Sequence, residues 1–426
     1  MCLVFPQTYV WGNFYLVNFV DIIYYKYYYE YYGNRNYKES IMLTPLLIII
    51  YLAFISLGLP DSLLGSAWPA MQTDLSASLS SAGIIFMIVS GGTIISSLFS
   101  GRLIKKYGTG KLTFVSVTMT AIALVGFSVS PSFIWLCLMA IPLGIGGGAV
   151  DAALNNFVAL HYQAKHMSWL HCFWGIGATL GPIIMSLFIS KNNQWRKGYF
   201  TIAMIQFCLV FILFLTLPLW KKIEEKLVNV EEDKKDTENV SPFRTPGVKL
   251  VLISFVFYCA TESTAGLWGS SYLVNHKGLS AGKAARWISL FYAGITIGRL
   301  LSGFLTIKLN NRILIRAGQV VCIIGTICLL LPLPIYFSML GLILIGFGCA
   351  PIYPCMLHET PNRFGKTASQ SIMGLQMGFA YMGSMFMPPI MGFISSKTGI
   401  VIFPYFLLCY MLIMLLGSEK VNRVMN

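Results

Sequence analysis

Beyond residue 45 the chain is a succession of twelve apolar runs separated by short polar stretches, a pattern that few folds can hold. The runs cover 46–68, 83–104, 112–129, 133–160, 168–189, 199–220, 250–274, 284–307, 313–331, 335–357, 369–394 and 400–416. Crossing the hydrocarbon core of a bilayer takes about 17–25 residues of helix. Each run is therefore read as one spanning helix, the longer ones tilted or protruding. Composition points the same way. The sequence is 56% hydrophobic and 11% charged, whereas a soluble domain carries roughly 25% charged residues. Such a chain cannot cover its own surface in water, so lipid must cover it. The expected class is an all-α membrane protein with twelve transmembrane helices.

Charge orients those helices. A net charge of +14 would suit a nucleic-acid partner, but no nucleic acid is inferred, because the basic residues lie in short loops between apolar runs. An even number of spans puts both termini on one side. Counted from a cytoplasmic start, the inner loops and tail hold nineteen Lys and Arg residues, against seven in the outer loops. That excess predicts cytoplasmic termini and a multi-pass protein of the plasma membrane. Trp68, Trp195, Trp220 and Trp287 fall near span ends, where interfacial anchors are found. Cysteines inside the runs, such as Cys137, Cys208, Cys322 and Cys328, are read as small core hydrophobes rather than metal ligands.

Residues 1–41 are of another kind. Positions 24–32 read YYKYYYEYY, with neither the long apolar region nor the small-residue cleavage site of a signal peptide. They are expected to be a non-native or disordered extension, with Met42 as the true start. Residues 221–249 form the one long hydrophilic stretch, with Glu231-Glu232-Asp233-Lys234-Lys235-Asp236 and then Pro242 and Pro246. That composition predicts a solvated cytoplasmic linker between two halves, 42–220 and 250–426. The halves repeat. Residues 91–106, GGTIISSLFSGRLIKK, lie over 293–308, AGITIGRLLSGFLTIK, at an offset of 202, which also lays Gly144-Ile145-Gly146 over Gly346-Phe347-Gly348. Two pseudo-symmetric six-helix bundles are expected, with a substrate site between them near mid-membrane.

At these residues the chain resembles the major facilitator superfamily. Gly101-Arg102-Leu103-Ile104-Lys105-Lys106-Tyr107-Gly108 occupies the place of that family's Gly-rich basic loop between the second and third spans. Lys105 stands where the common version has an aspartate, which weakens the carry-over of that aspartate's gating role. Gly58-Leu59-Pro60-Asp61 with Gly65 and Trp68-Pro69, the run from Gly144 to Asn155, and Leu170-His171-Cys172-Phe173-Trp174-Gly175 are similar to the fucose–proton symporter branch and its uncharacterised bacterial relatives. That branch has one acid in the first helix and one in the fourth, which match Asp61 and Asp151.

Three carboxylates lie inside spans: Asp61, Asp151 and Glu262. An acid at the centre of a membrane helix costs about 2.5–3.5 kcal/mol on insertion scales, so such groups normally face a cavity and have a task. They are the candidate proton-coupling residues. For Asp61 the competing reading is helix capping at a break after Pro60, and for Glu262 it is hydrogen bonding to substrate. Asn155 is one helical turn from Asp151, and His171 and Trp174 also share a face. With Trp268 and Gln376 these are the candidate substrate-binding residues, since amides and acids bond hydroxyls while aromatic faces cover a sugar ring. Asn155 and His171 would alternatively bond between helices. Asn275 and Tyr381 are further candidates, and Arg299, in the eighth span, is read as pairing with an acid. No metal or other cofactor is expected, the proton gradient being the energy source. Gly144, Gly146, Gly147 and Gly148 follow no strand and precede no Lys-Ser/Thr, so they are read as helix packing rather than a phosphate loop.

The function expected is proton-coupled symport of a small polar solute, sugar-like, by a protein that is a monomer and not an enzyme. The alternative is drug or metabolite efflux by antiport. Gly177 and Gly181-Pro182 partly match the antiporter motif of the fifth helix, though Met185-Ser186 replaces its closing pair of glycines. Met373, Met377, Met382, Met385 and Met387 would suit an adaptable apolar pocket. A solute sensor derived from a transporter is a third reading.

Overall fold

The computed structural model describes residues 37–162, 164–227, 245–306 and 308–425. In lipid each backbone N–H and C=O must be paired within its own segment, so apolar runs of this length become helices. The helices are α1 Tyr37–Asp61, α2 Leu63–Asp74, α3 Ser81–Tyr107, α4 Thr109–Ser128, α5 Phe133–His161, α6 Ala164–Ile189 and α7 Trp195–Leu227. They are followed by α8 Val248–Asn275, α9 Ala281–Leu305, α10 Asn311–Leu330, α11 Ile335–Phe364, α12 Lys366–Thr398 and α13 Phe403–Val424. Twelve segments are long and apolar enough to cross a membrane, the first being Pro45–Asp74, which contains most of α1 and all of α2. Leu46–Asn426 is one compact unit; of the preceding unit, Met1–Pro45, only 37–45 is described, as the start of α1. The extension expected at 1–41 therefore lies almost wholly outside the described residues.

The break between α1 and α2 has a local cause. Pro60 has no N–H, so the Ser56 carbonyl four residues earlier loses its helical donor. Gln206 on α7 supplies one, its side-chain Nε2 donating to that carbonyl at 2.7 Å. The turn at Ser62 follows directly, and it sets Asp61 at the bend.

Helices α1–α7 form one bundle, with α3 and α4 on α5 and α4 on α7; α8–α13 form the other, with α9 and α10 on α11 and α12 and α13 on α8. The repeat seen in sequence is a repeat of helix crossings. A Cβ on Gly144 would collide with the Val89 carbonyl oxygen, and one on Gly346 with that of Phe291. On Gly146 it would lie 2.7 Å from the Ser116 carbonyl oxygen, and on Gly348 2.5 Å from that of Gly318. Both pairs of crossings keep the offset of 202, so the glycines mark where neighbouring backbones touch.

The bundles meet at one end and part at the other. Gly65 on α2 lies against the Gly266 carbonyl on α8, Gly83 on α3 against Pro389 on α12, and Gly282 on α9 against Ser190 at the end of α6. At the opposite end, where α3 finishes, α10 begins and α13 finishes, a cavity opens between them.

Two expectations are revised. The seventh helix runs to Leu227, so the first residues of the expected linker are helical, while 228–244 lie outside the described residues. All four tryptophans assigned to the interface are instead buried in protein. Trp68 bonds the Leu79 carbonyl (3.1 Å), Trp195 bonds Asp74 (3.2 Å), and Trp220 packs on Gly110. For Trp68 and Trp195, pairing the indole N–H inside the bundle outweighs a place at the headgroups; Trp220 is held by packing, its indole N–H making no hydrogen bond among the described residues.

The crossings give a direct test. Gly144→Val or Gly346→Val pushes a branched side chain into backbone that cannot move aside and should cost about 1–3 kcal/mol. Gly303→Val, with nothing within 4 Å of its added Cβ, should be neutral in the same thermal unfolding assay in detergent.

Candidate functional site

The cavity has a volume of about 1660 Å³ and is walled by both bundles. A small solute fills a pocket of about 300–1,000 Å³, so there is room for one together with water. From α1 comes Asp61, from α5 Asp151 and Asn155, from α6 His171 and Trp174; α8 brings Glu262 and α9 brings Arg299. Six of the eight residues expected from sequence thus line one space.

Their bonds form two groups. Asn155 Nδ2 donates to Asp151 Oδ1 at 2.9 Å, the one-turn spacing realised as contact, and also to the Asp151 carbonyl at 3.0 Å. The second group crosses between bundles. Trp174 Nε1 donates to Asp61 Oδ2 at 2.8 Å. The Arg299 guanidinium carbon lies 5.1 Å from the centre of the Trp174 ring, within cation–π range. Arg299 Nη2 in turn sits 3.4 Å from Glu262 Oε1, and the Tyr258 hydroxyl donates to Glu262 Oε2. A single tryptophan therefore touches the acid of one bundle with its edge and the cation of the other with its face. Capping does not account for Asp61: its side chain bonds Trp174, and Ser62, ahead of α2, makes no side-chain cap bond either. His171 faces the cavity and stands edge-on to Phe54, ring centroids 6.0 Å apart.

Two expected residues lie elsewhere. Trp268 is fully buried on the far side of α8, its Nε1 donating to the Pro388 carbonyl at 2.8 Å and its ring against Gly392. It is six residues from Glu262 on an unbroken helix, and Gly266 between them does not bring it round. Gln376 is likewise fully buried and bonds the Thr360 hydroxyl at 2.9 Å, tying α12 to α11. Asn275 ends α8, exposed and away from the cavity, whereas Tyr381 does line it. Of the six methionines on α12, Met373 and Met377 reach the wall.

Sequence reading missed Tyr258 and Tyr292 at mid-depth and a polar rim at the mouth. Tyr258 was findable: it stands one turn before Glu262, on the same face. At the rim Glu359, on α11, accepts from Asn311 (3.1 Å) and Arg312 (3.2 Å) on α10. That cluster depends on two helices meeting and has no mark in either segment alone.

Comparison with known proteins follows the same lines. The Major Facilitator Superfamily profile matches residues 50–377 and, in a second overlapping match, 250–421. The chain is 24% identical to the glucose/mannose transporter GlcP of Bacillus subtilis, over 72% of this chain and 77% of that one. It is 21% identical to a cis,cis-muconate transport protein of Acinetobacter baylyi, over 83% and 88%. Among solved structures, the nucleoside transporter NupG superposes with a TM-score of 0.69 at 14% identity, covering 89% of this chain and 99% of that one. Fold, repeat and sequence profile agree that the chain belongs to the Major Facilitator Superfamily.

Proposed function

We propose that this transporter carries out proton-coupled symport of a small hydroxylated solute, a sugar or sugar derivative, by alternating access in the plasma membrane. The open end of the cavity would face the cytoplasm, in accord with the positive-inside count of its loops. The observation that carries the reading is the set of groups at mid-depth: two separate acids, Asp61 and Asp151, beside a cation whose charge is already met by Glu262. Acids that line a water-filled cavity are the groups able to load and release a proton. With Arg299 neutralised, the site offers a neutral solute hydrogen bonds from Asn155, His171, Tyr258 and Tyr292 and offers an anion no free charge at that depth. A greasy solute would leave those polar groups unpaired. The glucose/mannose transporter among its relatives supports a sugar.

Efflux of apolar cations is the second reading, favoured by Met167, Met373 and Met377 in the wall. It has less support, since the other four methionines of α12 are not among the cavity-lining residues.

Two experiments separate these. In Asp151→Asn the amide imitates a protonated acid that cannot cycle. Accumulation of sugar against a gradient should be lost while sugar exchange persists; normal pH-driven accumulation would remove Asp151 from coupling. The Arg299–Glu262 pair tests solute charge. Arg299→Gln alone leaves the part-buried Glu262 carboxylate without its partner and should weaken both stability and sugar binding. The double variant R299Q/E262Q should recover sugar binding by the purified protein. An anionic solute held by Arg299 would stay lost in the double variant.

A further inference from the structure

The lipid-facing side of α3 is continuous with a row of cations. Ile95, Phe99, Arg102 and Lys106 follow one another at intervals of four, three and four residues, with Leu98 three from Ile95 and four from Arg102, and so share one helix face. Ile95, Leu98 and Phe99 are exposed, Leu98 at 77%, as apolar residues are when they face hydrocarbon chains. One turn further on, at the end where the cavity opens, Arg102, Lys105 and Lys106 are exposed too, and Lys111 follows the turn at Gly108. The Arg102 guanidinium lies over the Phe99 ring at 5.8 Å and the Lys106 ammonium near the Tyr107 ring at 5.1 Å. The cations therefore lie directly above aromatic surface, where acyl chains give way to headgroups.

Neighbouring segments of α3–α6 bring these charges no acid; the acids of this bundle at the same end among the described residues are Glu39 on α1 and Glu224 and Glu225 on α7. Residues 101–111 and 156–169, which form this end of α3, α4, α5 and α6, contain no Asp or Glu. Among the described residues none of Arg102, Lys105, Lys106 and Lys111 forms a salt bridge. The other bundle differs. At the offset of 202 the same lipid-facing row recurs as Ile297, Leu300 and Leu301, all exposed, but Phe304 and Ile307 stand in place of Arg102 and Lys105, leaving Lys308 alone. The cations near it are matched by carboxylates, Arg312 by Glu359 and Arg316 by Glu419.

We infer that this end of α3 is a binding site for the phosphate headgroup of an anionic phospholipid, its acyl chains lying along Ile95, Leu98 and Phe99. Three or four cations within two turns match one such headgroup and attract it more strongly than a zwitterionic one. The site lies outside the cavity and does not depend on the proposed substrate or coupling ion.

Native mass spectrometry of the purified full chain tests it, with phosphatidylglycerol and phosphatidylcholine of identical acyl chains supplied at equal concentration. Wild type should retain phosphatidylglycerol preferentially. The variant R102Q/K105Q/K106Q should lose that preference, by about fivefold for each charge removed, while Lys308→Gln should leave it unchanged. Swapping cation for cation in R102K/K106R should keep retention, which separates loss of charge from loss of fold. Equal retention of the two lipids, unchanged preference in the triple variant, or an effect of Lys308→Gln as large would each overturn the proposal. So would displacement of phosphatidylglycerol by millimolar inorganic phosphate, which would mark a site for free phosphate.

Discussion

Charge inside a bilayer must be held by other charge or by hydrogen bonds, and the centre of this protein is arranged around that requirement. Arg299 and Glu262 neutralise each other on the wall of the second bundle. Asp61 belongs to the first, and Trp174 joins the two by donating its indole N–H to the acid and presenting its face to the guanidinium. A change of charge at Asp61 is thus felt by a ring packed on the opposite bundle.

The rigid part of the machine is set by absence of side chains. Glycines at 144, 146, 346 and 348 let backbones touch within each bundle, and those at 65, 83 and 282 let the bundles touch at the closed end. Close approach gains dispersion over long helix surfaces where lipid removes the hydrophobic drive to associate. Pro60 adds the one sharp irregularity of the first helix, and Gln206 repairs the backbone group it strands. Asp61 owes its position to that break.

Much of this could be read in the sequence, for physical reasons. Twelve apolar runs predict twelve helices because backbone in lipid has no other outlet, and the 202-residue offset predicts two like bundles because the glycines that repeat are the ones that fix crossings. Asp61, Asp151, Asn155, His171, Trp174 and Glu262 were legible since polar groups in a span turn toward a cavity. Trp268 and Gln376 were misplaced by the same rule, which cannot tell a cavity from a buried partner such as the Pro388 carbonyl or Thr360. The pairing of Trp174 with Arg299, 125 positions apart in the chain, has no local signal at all. Nor had the burial of Trp68, Trp195, Trp220 and Trp287, because a span end reads alike whether it meets lipid or protein.

The central claim is that solute and proton move together through the cavity holding Asp61 and Asp151. Proteoliposomes containing the purified chain, weakly buffered and without any imposed gradient, provide the most direct measurement. On addition of hexoses, pentoses and polyols in turn, a transported sugar should draw protons into the vesicles, seen as an alkaline shift outside that a proton ionophore abolishes. Sugar entry with no proton movement, or proton movement evoked only by lipophilic cations, would contradict it.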